Sequence, residues 1–168
     1  MSLKLNIITL LIIFIFFTPT IDAKENWVLD KELSTITFEL PVLLMKNVKG
    51  EFTEIDGLAE IDIEREKNNK ALFTVSIDSI KMNYKKYHDL LQSEIFFYEK
   101  NFPIALIDTK KFSYENEKEL ELIVELNIKG IAKEVPLKLI IIRLGESLVQ
   151  IKGSLNFSRT TYQIGIGK

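Results

Sequence analysis

"ELELIVELNIKG", residues 119–130, decides the fold class. Leu120, Leu122, Val124, Leu126 and Ile128 alternate with Glu119, Glu121, Glu125, Asn127 and Lys129, and only Ile123 breaks the rhythm. Successive side chains of an extended backbone point to opposite sides, so alternation of this length describes a strand with one dry and one wet face. A helix would place its apolar residues three and four apart instead.

The same period runs outward in both directions. Gly130 punctuates, and "EVPLKLIII" (134–142) continues with Val135, Leu137, Leu139 and Ile141. Pro136 lacks an amide donor, which predicts an edge or a bulge at that point. "RLGES" (143–147) reads as a hairpin turn, after which "LVQIKGSLNF" (148–157) supplies Val149, Ile151, Leu155 and Phe157. Towards the amino terminus, "STITFEL" (34–40) sets Ile36, Phe38 and Leu40 on one face. "ALFTVSIDSI" (71–80) does so with Phe73, Val75 and Ile77, while Leu72 and Ile80 fall on its outer parity, and "REKNNK" (65–70) is a polar hairpin tip. Several short strands with turn signals between them predict an all-β, antiparallel sandwich or barrel.

One segment departs from period two. In "NYKKYHDLLQSEIFF" (83–97), Tyr87, Leu90, Leu91 and Ile95 lie at helical spacing, with Asn83 as N-cap, so a short helix is expected at Tyr84–Ile95 between two strands. The Phe96-Phe97 pair that follows either packs as core or presses onto the barrel as lid or wall.

The amino terminus carries a different signal. Lys4 precedes the apolar run "LNIITLLIIFIFF" (5–17), then Pro19 and a small residue, Ala23. That pattern is an export signal with cleavage after Ala23, and the run is shorter than the roughly 20 residues a membrane-spanning helix needs. The expectation is a secreted, periplasmic protein with no stable membrane anchor. The chain has no cysteine, so the fold rests on packing without disulfides.

Other function classes find little support. A net charge of −2 with acids and bases interspersed offers no basic stripe for a nucleic acid. A structural zinc site needs several Cys or His ligands, and His88 is the one histidine. It adjoins Asp89 on the expected helix, where neighbours point in different directions, so no ready catalytic dyad is read there. No enzyme, metal or cofactor is expected.

Certain residues resemble a known family. Trp27-Val-Leu-Asp30, Ser34, Phe38, Gly50-Glu-Phe52, Ser79-Ile80, Ser93 with Phe96-Phe97, and Pro103 follow one another as in YceI-like domains. "LNIKGIAKEVPLKL" (126–139) and "SRTTYQIG" (158–165) resemble that family's later motifs, so the likeness covers the chain from Trp27 onward. Departures are Leu33 where the family often has His, and "YHDL" (87–90) where it often has Arg-Asp-x-His. The family usually has a further strand after its final Ile-Gly, so either the expected domain, residues 24–168, lacks the closing strand or its barrel closes differently.

The resemblance implies an antiparallel, lipocalin-like β-barrel of about eight strands with one short inserted helix. Its lumen would hold a polyisoprenoid or an isoprenoid quinone, as carrier or reservoir. The expected lumen residues are Phe38, Val75, Ile77, Phe96, Phe97, Leu122, Leu126, Leu137, Leu139 and Phe157. The alternative is a non-enzymatic interaction module whose core those residues fill, because apolar alternation describes both kinds of barrel. Counting parity onward from Phe157 puts Arg159 on the inner face, either anchoring a ligand head group or paired with Asp30 or Glu32. A homodimer is left open.

Overall fold

The computed structural model describes residues 25–40, 48–61, 68–82, 84–113, 115 and 118–166. The expected export signal and the expected Asn83 cap lie outside them. Among the described residues, ten strands form two antiparallel sheets. The larger contains β1 (Glu25–Val28), β4 (Ile55–Ile61), β5 (Lys70–Ser76), β7 (Ile104–Asp108), β8 (Glu119–Ile128), β9 (Ile131–Arg143) and β10 (Val149–Leu155), in that spatial order. The smaller orders β2 (Ile36–Leu40), β3 (Val48–Phe52) and β6 (Ile80–Met82). A helix, α1 (Lys85–Gln92), is inserted between β6 and β7. Among the described residues no helix is long and apolar enough to cross a membrane.

The opening stretch is β8, and its parity holds. Val124 is fully buried, Leu126 and Ile128 nearly so, while Ile123 on the opposite face is 57% exposed. β8 and β9 pair continuously from Glu119↔Ile140 to Ile128↔Ile131. Lys129 (φ 56°) and Gly130 (φ 74°) form the two-residue connection. Positive φ at both central positions is the primed turn whose twist suits a tight hairpin. Gly130 has a second reason to be glycine, since a Cβ there would lie 2.8 Å from the Phe102 ring.

Pro136 pairs with Ile123 on the β8 side, and β10 ends opposite Leu137, one residue short of it. The strand edge expected at Pro136 is therefore local, on the flank that β10 no longer covers.

The expected antiparallel barrel with one inserted helix is present, as a half-barrel of seven strands with a three-stranded sheet beside it. Two finer expectations need correction. β5 stops at Ser76, and the turn through Ser79 resets the register, so Ile80 points inward from the second sheet and is 2% exposed. Ser79 brackets that turn: its hydroxyl donates to the Ser76 carbonyl (2.7 Å) and accepts from the Thr53 amide (3.2 Å). The helix is shorter than Tyr84–Ile95, with Tyr84 as its N-cap lacking a side-chain cap bond, and Leu91 is its one buried residue.

The outer face carries a charge cluster across β7 and β8. Lys110 Nζ lies 3.2 Å from Asp108 and 3.3 Å from Glu125, and the Lys110 amide donates to Asp108 at 2.8 Å. That amide first, and the ammonium with it, hold the Asp108 carboxyl below its ordinary value of 3.8. A carboxyl lowered in the folded state contributes stability above its unfolded value, and this is lost as pH falls through the folded one. Asp108→Asn should therefore flatten the fall in urea midpoint as the pH drops below about 5. An unchanged acid slope would show that other carboxylates govern it.

Candidate functional site

The two sheets enclose one apolar interior. Phe52, Val75, Ile77, Ile80, Leu91, Ala105, Val124, Leu126, Ile128, Val135, Tyr162 and Ile164 form one buried cluster. Ala59, Ile61, Ala71, Phe112, Leu139 and Ile141 form a second. Leu122 and Leu137 pack against both and join them into a continuous inner face. The expected lumen residues Phe38, Val75, Ile77, Phe96, Phe97, Leu126, Leu122 and Leu137 meet at the first cluster, and Leu139 belongs to the second.

An aromatic row crosses from the small sheet to the segment after α1. The Phe38 and Phe52 ring centroids are 5.4 Å apart, and Phe97 meets Phe52 edge-on at 6.2 Å. Phe38 lies over Gly50, its partner on β3, where a Cβ would come within 2.4 Å of the ring. A cavity of about 680 Å³ opens beside this row, lined by Phe38, Gly50 and Met82 with the charged Glu39, Lys49, Glu51 and Lys81 around them. Phe38 and Met82 also pack against the first cluster, so the cavity adjoins the apolar interior.

The carboxyl-terminal segment differs from the parity count. β10 ends at Leu155, and residues 159–162 form a 3₁₀ turn. Phe157 is thus beyond the strand, 40% exposed, with its ring edge-on to Tyr162 at 5.2 Å. Arg159 is exposed and does not continue an inward strand row. Its Nη1 donates to the carbonyls of Ile164 (2.8 Å) and Gly165 (3.1 Å), closing the turn on itself. Asp30, one of the two carboxylates offered as its alternative partner, instead accepts from the amides of Glu32 and Leu33. A period-two count fails where a strand becomes a 3₁₀ turn, because the turn rotates each residue by about a third of a revolution.

Further bonds seat this segment. The Gly165 amide donates to the Ile95 carbonyl (2.8 Å), and Lys129 Nζ reaches the carbonyls of Glu94 (2.8 Å) and Gln163 (3.2 Å). The Phe96 ring lies against Gly165. Hence the Phe pair performs two packing tasks: Phe97 completes the aromatic row, and Phe96 holds the tail segment. Tyr162 and Ile164 become buried as a result, at 0% and 5% exposure. Sequence reasoning missed both, although their i, i+2 spacing in "TTYQIG" was a usable sign. It also missed Thr109, whose buried hydroxyl accepts from the Ala71 amide at 2.8 Å.

Among the described residues, Trp27 Nε1 and the Tyr162 hydroxyl are buried on this inner face without a hydrogen-bond partner. Burial pushes the Tyr162 hydroxyl above its ordinary pKa, so it stays protonated. On the outside, His88 Nδ1 lies 3.1 Å from Asp89 Oδ1, a contact that helical neighbours were expected not to make. It sits on the exposed side of α1, with the Asp89 side chain 73% exposed. Among the described residues no group of three or more His, Cys, Asp or Glu side chains could hold a metal ion.

An antiparallel half-barrel with an apolar concave face and one inserted helix defines a protein of the lipocalin-like class. A family model, the YceI-like domain, matches residues 27–168, and the chain belongs to that family. Two Staphylococcus aureus relatives, the UPF0312 proteins SA2479 and SAV2687, are 29% identical over 109 residues, 65% of this chain. The match spans 61% of the length of those relatives. Among solved structures, BcnA of Burkholderia cenocepacia superposes with a TM-score of 0.74 at 20% identity, covering 82% of this chain and 86% of that one. The YceI protein of Campylobacter jejuni gives 0.63 at 24% identity, over 83% and 84%. These likenesses show a shared fold.

Proposed function

We propose that this protein is exported to the periplasm and holds a long apolar ligand, a polyisoprenoid chain or an isoprenoid quinone, as carrier or reservoir. The observation that carries this reading is the inner face that Leu122 and Leu137 make continuous from one cluster to the other. Each buried methylene of such a chain contributes roughly 0.8 kcal/mol, so few polar contacts are needed. Phe38, Gly50 and Met82 at the open cavity provide an entrance beside that face. A domain of this fold from Saccharophagus degradans, with a TM-score of 0.56 at 11% identity over 85% of this chain and 79% of that one, is described as polyisoprenoid-binding.

A second reading is an exported interaction module with a filled core. It is favoured by the tight burial of Val124, Ile61, Ile77 and Ile80, all 2% exposed or less. Organic extraction of protein purified from its native envelope, followed by mass spectrometry, separates the two. Near-stoichiometric isoprenoid is expected from the carrier. An extract free of lipid, together with failure of the purified protein to take up added isoprenoid, supports the filled module instead.

A further inference from the structure

The Tyr162 hydroxyl is the most conspicuous unpaired polar group of the interior. Its side chain is fully buried among aliphatic and aromatic residues, and its oxygen has no partner. A buried hydroxyl without a partner forfeits the bonds it made to water and gains none in return, which is why native interiors rarely keep one. The group cannot easily swing out to water. Its ring is held edge-on by Phe157, and the turn beneath it is closed by Arg159 on the Ile164 and Gly165 carbonyls. Lys129 and Ile95 fasten the following residues to the neighbouring hairpin and to the segment after the helix.

We propose that the Tyr162 hydroxyl is a specificity-determining donor, selecting an apolar ligand that carries a neutral hydrogen-bond acceptor such as a carbonyl oxygen. This inference rests on the carrier reading above and sharpens its ligand class. A hydroxyl donates one bond, and a ligand carbonyl accepts one without bringing a proton that also needs a partner. An anionic head is the wrong match. Desolvating a charge in this apolar cluster would cost far more than one neutral donor returns. Arg159, the nearby cation, is exposed and spends its Nη1 on backbone carbonyls.

The test is Tyr162→Phe, which keeps the ring and removes the oxygen. Binding of three probes is measured to both proteins: a benzoquinone with a polyisoprenoid tail, the matching polyisoprenoid hydrocarbon, and a polyprenyl phosphate. Tyr162→Phe is expected to weaken the quinone about tenfold, the effect of one lost hydrogen bond to a neutral acceptor, and to leave the hydrocarbon unchanged. The infrared carbonyl stretch of the bound quinone should be shifted down in the parent and not in the variant. The ligand-free variant should unfold at the same or a higher urea concentration. Equal quinone affinity in both proteins, stronger binding of the phosphate than of the quinone, or a destabilised ligand-free variant would each overturn the proposal. If the hydrocarbon binds the parent but the quinone gains nothing from the hydroxyl, this inference alone fails. If no probe binds the parent, the carrier reading falls and takes this one with it.

Discussion

Leu126→Trp is expected to empty the half-barrel of ligand while the chain still folds. Leu126 stands on the inner face of β8, 4% exposed, between Ile107 on β7 and Lys133 on β9. An indole at that point projects into the space a chain-like ligand would cross. Overpacking a filled site costs typically about 1–3 kcal/mol, so urea denaturation should show a real but survivable loss. Lipid recovered per mole of protein should fall several-fold. The control is Ile123→Trp on the same strand, where the side chain is 57% exposed on the outer face and neither quantity should move. Full occupancy in Leu126→Trp, with the stability loss present, would place the ligand away from this face and sink its assignment as the ligand wall.

What the sequence made legible follows from how each feature is encoded. The parity of β8 and β9 was readable because both strands lie inside a sheet with one covered face, and a slip of one residue would invert every side chain. The turn at Lys129-Gly130 was readable for a related reason: the glycine meets both a positive φ and a close ring. Ile80 was misassigned because three residues of turn separate it from β5, and a parity count has no knowledge of a sheet change. Arg159 failed in the same way beyond Leu155. The burial of Tyr162 left only its i, i+2 spacing to Ile164 as a sign in the pattern. It depends on a local turn closed by Arg159 and on bonds from Lys129 and Gly165 that join segments far apart in sequence. The family resemblance located "SRTTYQIG" without saying what its residues touch.

Gly50→Ala should be the most disruptive single methyl group that can be added to the small sheet. A Cβ at Gly50 would lie 2.4 Å and 2.7 Å from two atoms of the Phe38 ring and 2.9 Å from the Lys81 carbonyl. The ring can yield, but the carbonyl belongs to the backbone of β6, which pairs with β3 through Gly50↔Met82. Relief on one side therefore tilts Phe38 out of the aromatic row, and relief on the other loosens the β3–β6 pairing. A loss of about 1–3 kcal/mol is expected in chemical denaturation, the usual cost of overpacking. Phe38→Leu alone should also destabilise, since it removes the ring packed on Phe52. The two changes together should cost less than their sum, because each removes part of the other's clash, and residues in contact are not additive. Recovery should stay incomplete while the Lys81 carbonyl remains. Strict additivity would mean that Phe38 does not rest on Gly50 in solution. The cavity beside them would then have a wall of different make-up, and the entrance assigned to it would have to be sought elsewhere on the rim.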